Sequence, residues 1–256
     1  MPVVGRVFWM WLKRDIKSRY VGSFGGLAWA VLAPLFTILL FYVLFSKIFL
    51  VKVPEIASEA GFFYYLLAGI LPWLAISEGL SRGTGVIVAH EQFLQKQAFA
   101  VGVLPSSVVV AGLLPQLIGT LLFAVLILLS PIPVTAAWLL WPLVLGLQLA
   151  MILGLTLLLS VLAVHLRDLL HAIPVLLQFF FYATPILYPM SMVPESYHWL
   201  YLLNPFAPLV QAYHAVLLGT SFSVIEGLAL VFWAIVLGLG GYVGYRILLP
   251  TVGESL

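Results

Sequence analysis

The chain has 256 residues, of which 64% are hydrophobic and only 8% are charged, and its formal net charge is +2. Because soluble domains carry about 25% charged residues, this composition excludes a water-soluble protein, and the balanced charge gives no sign of a nucleic-acid partner. The sequence contains no cysteine, which excludes disulfides, thiolate metal sites and a cysteine nucleophile. Long apolar runs without period-two alternation predict membrane-spanning helices.

Residues 5–22 are predicted to form an amphipathic helix, within a cytoplasmic interface segment that covers residues 1–24. Four apolar residues recur at every fourth position: Phe8, Leu12, Ile16 and Tyr20. Three basic residues cluster on another face: Arg6, Lys13 and Lys17. Such a helix lies in the interface plane with its basic side toward lipid phosphates; the alternative is that these charges only set the topology of the first span.

Six stretches have the length of about 20 apolar residues that a membrane crossing requires. They cover residues 27–45, 62–80, 105–129, 138–164, 172–188 and 227–249. Residues 189–226 are interrupted by prolines and polar residues, which favours short re-entrant helices on the outer side before the last span. In the sixth stretch, Gly240 and Gly244 form a G-x-x-x-G pair, which favours close packing within the chain over a dimer contact. The predicted fold is an all-α integral membrane protein with six transmembrane helices in one domain, residues 1–256.

The basic residues predict which side of the membrane holds the termini. If both termini lie on one side, nine of the eleven Lys and Arg residues fall there, and only Lys47 and Lys52 fall on the other. This bias places both termini in the cytoplasm. The apolar run of the first span exceeds that of a cleaved signal peptide, so the chain is expected to be mature as it stands.

Two cytoplasmic segments carry enough polar residues to dock a separate protein. Residues 82–104 form the longer one, which can hold a short surface helix and contains Glu91, Gln92 and Lys96. Residues 164–171 form the second one and contain Arg167 and Asp168 between two histidines. An ordinary solvated turn is the alternative for each segment. The histidines and Asp168 have a spacing that a metal site can use, but surface polar residues are the expected interpretation.

Several kinds of chemistry have no motif in this sequence. There is no G-x-x-x-x-G-K-[ST] loop, so any ATP must be bound elsewhere. The spans hold almost no ionisable residues, which argues against a proton pathway, and no paired carboxylates or nucleophile elbow indicate an enzyme. We therefore expect the energy for any transport to come from outside the chain.

Aromatic residues lie near the middle of several spans, where they can line a path for a glycan, because the C–H faces of sugar rings are apolar. They are Tyr42, Trp73, Phe179, Phe180, Phe181 and Tyr182. Contact with lipid or packing between helices is the alternative for each of them.

An ordered series of short motifs runs along the chain. It consists of RDIKSRY at 14–20, GSFGGLAW at 22–29, AGILPW at 68–73, LRD at 166–168, TPILYP at 184–189 and NPF at 204–206. With these motifs the sequence resembles the membrane subunits of type-two ABC exporters, and among them the permeases that export O-antigen, capsule or teichoic-acid chains. The resemblance covers essentially all 256 residues.

The resemblance implies a permease that exports an undecaprenyl-linked polysaccharide, with O-antigen as the first choice, across the bacterial inner membrane. Two copies of the chain would pair with two ATPase subunits. Those subunits would bind the ATP and Mg²⁺, so this chain would hold no cofactor. The chain would contact membrane lipid and no nucleic acid. The alternatives are an ABC exporter of drugs or lipids and, from another class, a membrane-embedded glycan or lipid enzyme.

The resemblance also implies roles for particular residues. Contacts with the ATPase would come from the interface helix, from residues 82–104 as a coupling loop and from the LRD turn, through Arg14, Asp15, Glu91, Gln92, Lys96, Arg167 and Asp168. The first and fifth spans would flank a lateral opening for the substrate. The transport pathway would be lined by Tyr42, Trp73, Phe179, Phe181, Tyr182 and Tyr188.

Overall fold

The computed structural model describes residues 2–20, 27–56, 60–94 and 101–255. Within these ranges every regular element is helical, as predicted for an all-α membrane protein. The α-helices in chain order are α1 (Pro2–Tyr20), α2 (Leu27–Tyr42), α3 (Gly61–Ala89), α4 (Glu91–Leu94), α5 (Val103–Leu128), α6 (Trp141–His165), α7 (Leu169–Ala183), α8 (His198–Leu203), α9 (Ala207–Leu218), α10 (Val224–Ala234) and α11 (Gly241–Ser255). A π-helical segment, Val43–Ile48, continues α2, and another, Ile235–Gly240, joins α10 to α11. Short 3₁₀ turns lie at Ala136–Leu140, Met190–Met192 and Glu195–Tyr197.

Four helical stretches of the described chain are long and apolar enough to cross a membrane. They are Gly61–Ala89, Val103–Leu128, Ala136–His165 and Val224–Val252. They correspond to the predicted second, third, fourth and sixth spans, so the prediction of a multi-pass helical membrane protein is confirmed. The predicted first and fifth spans correspond to α2 and α7, which are shorter. With 15 residues, α7 extends about 22 Å, less than the roughly 30 Å of a hydrocarbon core.

The end of α7 differs from the predicted span 172–188. The helix ends at Ala183, and Thr184 is extended, with a φ of -101° and a ψ of 140°. The reason is local: Pro185 disfavours the helical conformation of the residue before it, and a second proline follows at position 189. Residues 184–189 therefore leave the helix and form a compact segment that we call the 184–189 turn.

The predicted loop 82–104 also differs at its start. The helix α3 continues to Ala89, because Val86 and Ile87 are apolar and buried against neighbouring helices. The short helix α4 follows, and α5 begins at Val103. Most of this segment is therefore helical where the structure describes it, while residues 95–100, which include Lys96, lie outside the described residues.

The buried apolar side chains form two clusters. The larger one fills the middle of the bundle and centres on α3, where Leu66, Ile70 and Ile76 are fully buried. The smaller one, which we call the terminal cluster, joins the two ends of the chain through Trp11, Val86, Ile87, Val103, Leu104, Val108, Val161, Tyr245 and Val252. We call this end of the molecule the terminal end, and the opposite end, where α3 begins, the far end.

The predicted amphipathic helix is present as α1, but it packs on protein as well as facing outward. Trp11 and Leu12 are buried, and Phe8 and Ile16 are half-buried, while α1 contacts α5. Trp9, on the opposite side, is 60% exposed. One side of α1 is therefore part of the terminal cluster and cannot lie in lipid.

Glycines allow α6 to cross the last helices at close range. A Cβ atom added at Gly154 would overlap the carbonyl oxygen of Gly238 and lie 2.5 Å from its Cα atom. A Cβ atom added at Gly241 would in turn overlap the backbone of Gly154. The backbones of α6 and of the π-helical segment before α11 thus touch directly, which is the kind of close approach that small residues permit in membrane helices.

The predicted G-x-x-x-G pair contributes to this packing only in part. A Cβ atom added at Gly244 would lie 2.8 Å from the side chain of Leu158 in α6. At Gly240, no atom of the described residues lies within 4 Å of an added Cβ atom. Packing within the chain was the correct expectation for Gly244. The glycines whose backbones touch at the crossing are Gly154, Gly238 and Gly241.

Candidate functional site

An ion-pair chain joins α1 to α3 at the terminal end. Arg82 donates from Nη2 to the Asp15 carboxylate over 2.7 Å and from Nη1 to Glu78 over 3.3 Å, one turn earlier in α3. The Asp15 side chain is only 13% exposed, and that of Arg82 is 40% exposed. A short, partly buried pair of this kind restricts how α1 can move relative to α3. Asp15 was predicted as a contact residue, whereas Arg82 was not.

A second contact between the same elements runs through Trp11. The guanidinium carbon of Arg14 lies 4.7 Å from the centre of the Trp11 ring, and that ring meets His90 edge to face at 5.0 Å. His90 directly follows the last residue of α3 and precedes Glu91 of α4. The predicted contact residues Arg14 and Asp15 are thereby brought to the same region of the terminal end as α4. Within α4, Glu91 is half-buried and Gln92 is exposed.

The predicted contact residues Arg167 and Asp168 lie on a different turn, between α6 and α7, and both are exposed. This turn is linked to the C-terminal helix, because Nε2 of His165 lies 2.8 Å from the hydroxyl of Thr251. Among the residues that the structure describes, no three His, Asp or Glu side chains form a group that can hold a metal ion. The side chains of His165, Asp168 and His171 are therefore not grouped as metal ligands, although their spacing in the sequence would permit it.

The predicted pathway aromatics divide into a packed set and an exposed set. Trp73 is 5% exposed, and its ring lies 5.7 Å from Phe181 and 5.6 Å from Phe206. Phe179 and Tyr182, both on α7, are 65% and 54% exposed. The exposed set presents a surface that a ligand, lipid or another chain can contact, while Trp73 packs between helices of this chain.

The two remaining aromatics of that prediction lie toward the far end and are half-buried. The Tyr42 ring meets Phe63 of α3 edge to face at 5.4 Å. The Tyr188 hydroxyl donates to the backbone carbonyl of Tyr182 over 3.0 Å and lies 3.1 Å from the Tyr201 hydroxyl. Tyr188 thus connects the 184–189 turn with α7 and α8.

Two motifs that lie apart in the sequence are in contact at this end. Nδ2 of Asn204 donates to the carbonyl of Ala183 over 3.1 Å and to the Thr184 hydroxyl over 3.0 Å. Its Oδ1 accepts from the amide of Phe206 over 3.0 Å. Asn204 therefore caps the C-terminal end of α7 and at the same time shapes the turn that leads into α9. The TPILYP and NPF motifs form one hydrogen-bonded unit.

The hydroxyl of Tyr65 contacts the same unit from α3. It lies 2.9 Å from the carbonyl oxygen of Pro185 and 3.1 Å from that of Tyr188. The Tyr65 ring stacks on His214 of α9, with ring centres 3.8 Å apart and an angle of 22° between the planes. Tyr65 was absent from the predicted site.

A buried polar group ties α9 to α5 and α6. Nε2 of Gln116 donates to Gln148 over 2.9 Å and to the Tyr213 hydroxyl over 3.0 Å. Gln148 returns a hydrogen bond to Gln116 over 2.7 Å and a weaker one to the carbonyl of Pro72 over 3.4 Å, while the Tyr213 hydroxyl also contacts Gln148. Because buried polar groups are costly unless paired, this network specifies which helices are neighbours.

Comparison with known proteins identifies the family. A family model described as "ABC-2 type transporter" matches residues 6–218. The chain belongs to this family. It is 35% identical over 207 residues to the O-antigen export system permease protein RfbA of Myxococcus xanthus. The aligned residues cover 80% of this chain and 77% of that protein. A protein of the same name from Klebsiella pneumoniae is 27% identical over 199 residues, with 77% and 74% covered. The polysialic acid transport protein KpsM of Escherichia coli is 26% identical over 208 residues, with 77% and 76% covered.

Membership of the ABC-2 type transporter family confirms the resemblance inferred from the motifs. The matched range contains most of α1 and all of α2 to α9, and therefore both the Asp15–Arg82 pair and the contacts of Tyr65 and Asn204. An ABC-2 chain is the membrane part of an ABC transporter and works with a partner ATPase. This ABC-2 chain is accordingly a multi-pass membrane permease and not an enzyme.

Proposed function

We propose that this ABC-2 transporter chain is the permease subunit of an ATP-driven exporter of lipid-linked polysaccharide, with O-antigen as the glycan. The observation that carries the proposal is 35% identity, over 80% of the chain, to a permease named for O-antigen export. The relative from Klebsiella pneumoniae has the same name, and the relative from Escherichia coli is named for transport of another polysaccharide. These names favour a glycan over a drug or a lipid as the transported molecule.

The proposed location is the bacterial inner membrane, with the terminal end in the cytoplasm. The nine basic residues on that side support this orientation. In the proposed topology, α2 with its π-helical continuation and α7 with the 184–189 turn complete six crossings. α8 and α9 form the re-entrant region. The contacts of α9 support this, since Phe206 packs on Trp73 in the middle of α3, whereas Leu217 accepts a hydrogen bond from Trp138 near the far end.

The proposed assembly contains two copies of this chain and two ATPase subunits, which bind the ATP and Mg²⁺. Contacts with the ATPase are assigned to the terminal end, at Arg14, Asp15, Glu91, Gln92, Lys96, Arg167 and Asp168. When the ATPase subunits close, they displace α1 and α4. Because Arg82 holds Asp15, a displacement of α1 also displaces α3, which runs through the molecule to the far end.

The proposed pathway for the glycan runs past the aromatic residues of α7 and its neighbours. Phe179 and Tyr182 supply the exposed aromatic surface, on which sugar rings can stack through their apolar C–H faces. The pathway is completed by Tyr42, Trp73, Phe181 and Tyr188. Trp73 packs against both Phe181 and Phe206 and so supports that wall. The exposed faces of α2 and α7 flank the lateral opening for the lipid-linked substrate.

Deleting the gene for this chain tests the proposed function in the cell. We expect O-polysaccharide to disappear from the cell surface while lipid-linked polysaccharide accumulates inside, because synthesis continues without export. Surface staining and extraction of the intracellular lipid-linked pool measure the two quantities. Complementation with the intact gene controls for effects on neighbouring genes. Unchanged surface polysaccharide in the deletion strain would contradict the proposal.

A further inference from the structure

The 184–189 turn is buried although its backbone cannot complete a helix. Thr184 and Ile186 are fully buried, and Leu187 is 2% exposed. In a continued helix the carbonyl of residue 185 would accept a hydrogen bond from the amide of residue 189, but position 189 is a proline and has no N–H. A buried carbonyl without a donor is costly, so the turn needs a donor from another part of the molecule.

Tyr65 supplies that donor from α3. Its hydroxyl is shared between the carbonyls of Pro185 and Tyr188, at 2.9 Å and 3.1 Å, and its side chain is only 4% exposed. A phenol has one proton, so the two carbonyls share a single three-centre hydrogen bond. One side chain on α3 therefore binds two carbonyls of the turn, those of its second and fifth residues.

The position of Tyr65 is fixed in turn by α9. The His214 ring stacks on the Tyr65 ring, and Nε2 of His214 donates to the Tyr65 carbonyl over 3.0 Å. The histidine can approach α3 this closely because position 69 is a glycine: a Cβ atom there would lie 2.9 Å from Nε2 of His214. The ring of Tyr65 thus has little freedom, and its hydroxyl is directed at the turn.

We propose that Tyr65 is a positioning residue for transport, whose hydroxyl holds the 184–189 turn against α3 and so sets how readily the far end of the molecule opens. The role of Tyr65 in transport rests on the proposed function, whereas the position of the turn rests on the hydrogen bonds alone. Opening the far end requires the turn to leave α3, and this three-centre hydrogen bond is what the movement breaks. The Asn204 contacts with Ala183 and Thr184 remain within the moving unit.

A single cysteine in the turn measures its release, because the natural chain contains no cysteine. Leu187→Cys places a thiol at a buried position, and its rate of reaction with a maleimide reports the opening of the turn. The full chain is purified into lipid nanodiscs, so that the reagent reaches both faces. Rates are taken on the folded fraction after size exclusion, which keeps the comparison valid if a variant yields less protein.

Tyr65→Phe in this background removes only the hydroxyl. We expect labelling to become about fivefold faster, the change that corresponds to about 1 kcal/mol for one hydrogen bond. The matched control is Tyr64→Phe, one residue earlier in α3, since the Tyr64 hydroxyl has no hydrogen-bond partner in the part of the chain that the structure describes. Equal labelling rates in the Tyr65→Phe and Tyr64→Phe proteins would overturn the proposed role.

Surface polysaccharide in cells provides the readout for transport. We expect Tyr65→Phe without the added cysteine to lower it severalfold, because a turn that is no longer held opens without the ATPase, while Tyr64→Phe leaves it at the natural level. Faster labelling with unchanged surface polysaccharide would overturn the link to transport. If the deletion strain exports normally but labelling still becomes faster in Tyr65→Phe, the proposed function fails and the hold on the turn stands, so the two failures are distinguishable.

Discussion

Replacing Gly154 by alanine is expected to destabilise the folded transporter by about 3 kcal/mol or more, at the upper end of the cost of overpacking a close-packed interior. The added Cβ atom would overlap the carbonyl oxygen of Gly238 and lie 2.5 Å from its Cα atom. These are backbone atoms, so no side-chain rotation can relieve the overlap. The helices must separate, and the van der Waals contacts between α6 and α11 would be lost.

The matched control for Gly154→Ala is Gly146→Ala, two turns earlier in the same helix. No atom of the described residues lies within 4 Å of a Cβ atom added at Gly146, so this change should leave the fold unaffected. Size-exclusion profiles of detergent-solubilised protein and the temperature at which the folded peak is lost measure both variants. Equal thermal stability of the two alanine variants would contradict the close crossing of α6 and the last helices.

Reversing the charge of Arg82 is expected to lower polysaccharide export about tenfold, which lies within the usual range of coupling energies between distant sites. In the Arg82→Glu protein, three carboxylates meet where Arg82 now bridges Asp15 and Glu78. Their repulsion would separate α1 from α3, so that a movement of α1 no longer reaches the far end. Folding should be less affected, because the pair is partly exposed and most of the terminal cluster is apolar.

The double variant Asp15→Arg with Arg82→Glu separates lost coupling from general damage. It restores an opposite-charge pair between α1 and α3, with the two signs exchanged. We expect it to recover a substantial part of the export that Arg82→Glu loses, although Glu78 next to the new glutamate limits the recovery. Surface polysaccharide and co-purification with the ATPase are measured for each variant. If the double variant exports no more than Arg82→Glu, the ion pair does not carry the movement.

Hydropathy predicted most of the membrane helices of this transporter, because their signal is the length of an apolar run. The ends of the helices were less predictable, since tertiary contacts and prolines decide them. α3 continues past its predicted end because Val86 and Ile87 enter the terminal cluster. α7 stops before its predicted end because Pro185 excludes the helical conformation from the preceding residue. Neither effect changes the average hydropathy from which a span is recognised.

Sequence motifs pointed to some residues of the candidate site. Residues that belong to it only through contacts with distant parts of the chain could not be predicted. Asp15 was identified through its motif, but its partner Arg82 is 67 residues away. Tyr65 was missed because its hydrogen bonds join carbonyls 120 and 123 residues further along the chain. The lack of an N–H at position 189 was the available signal, since it leaves the carbonyl at 185 in need of an external donor. It indicates that a donor is required without indicating which one.

This chain moves a polysaccharide across the membrane with energy supplied by a separate ATPase. This transport can be measured in proteoliposomes that contain the purified chain and its co-purified ATPase. With labelled lipid-linked O-polysaccharide on the side of the ATPase, we expect ATP to make the label accessible to a glycosidase on the other side. This access should be lost when the ATPase is omitted. Equal glycosidase access with and without ATP in the complete system would contradict ATP-driven export by this chain.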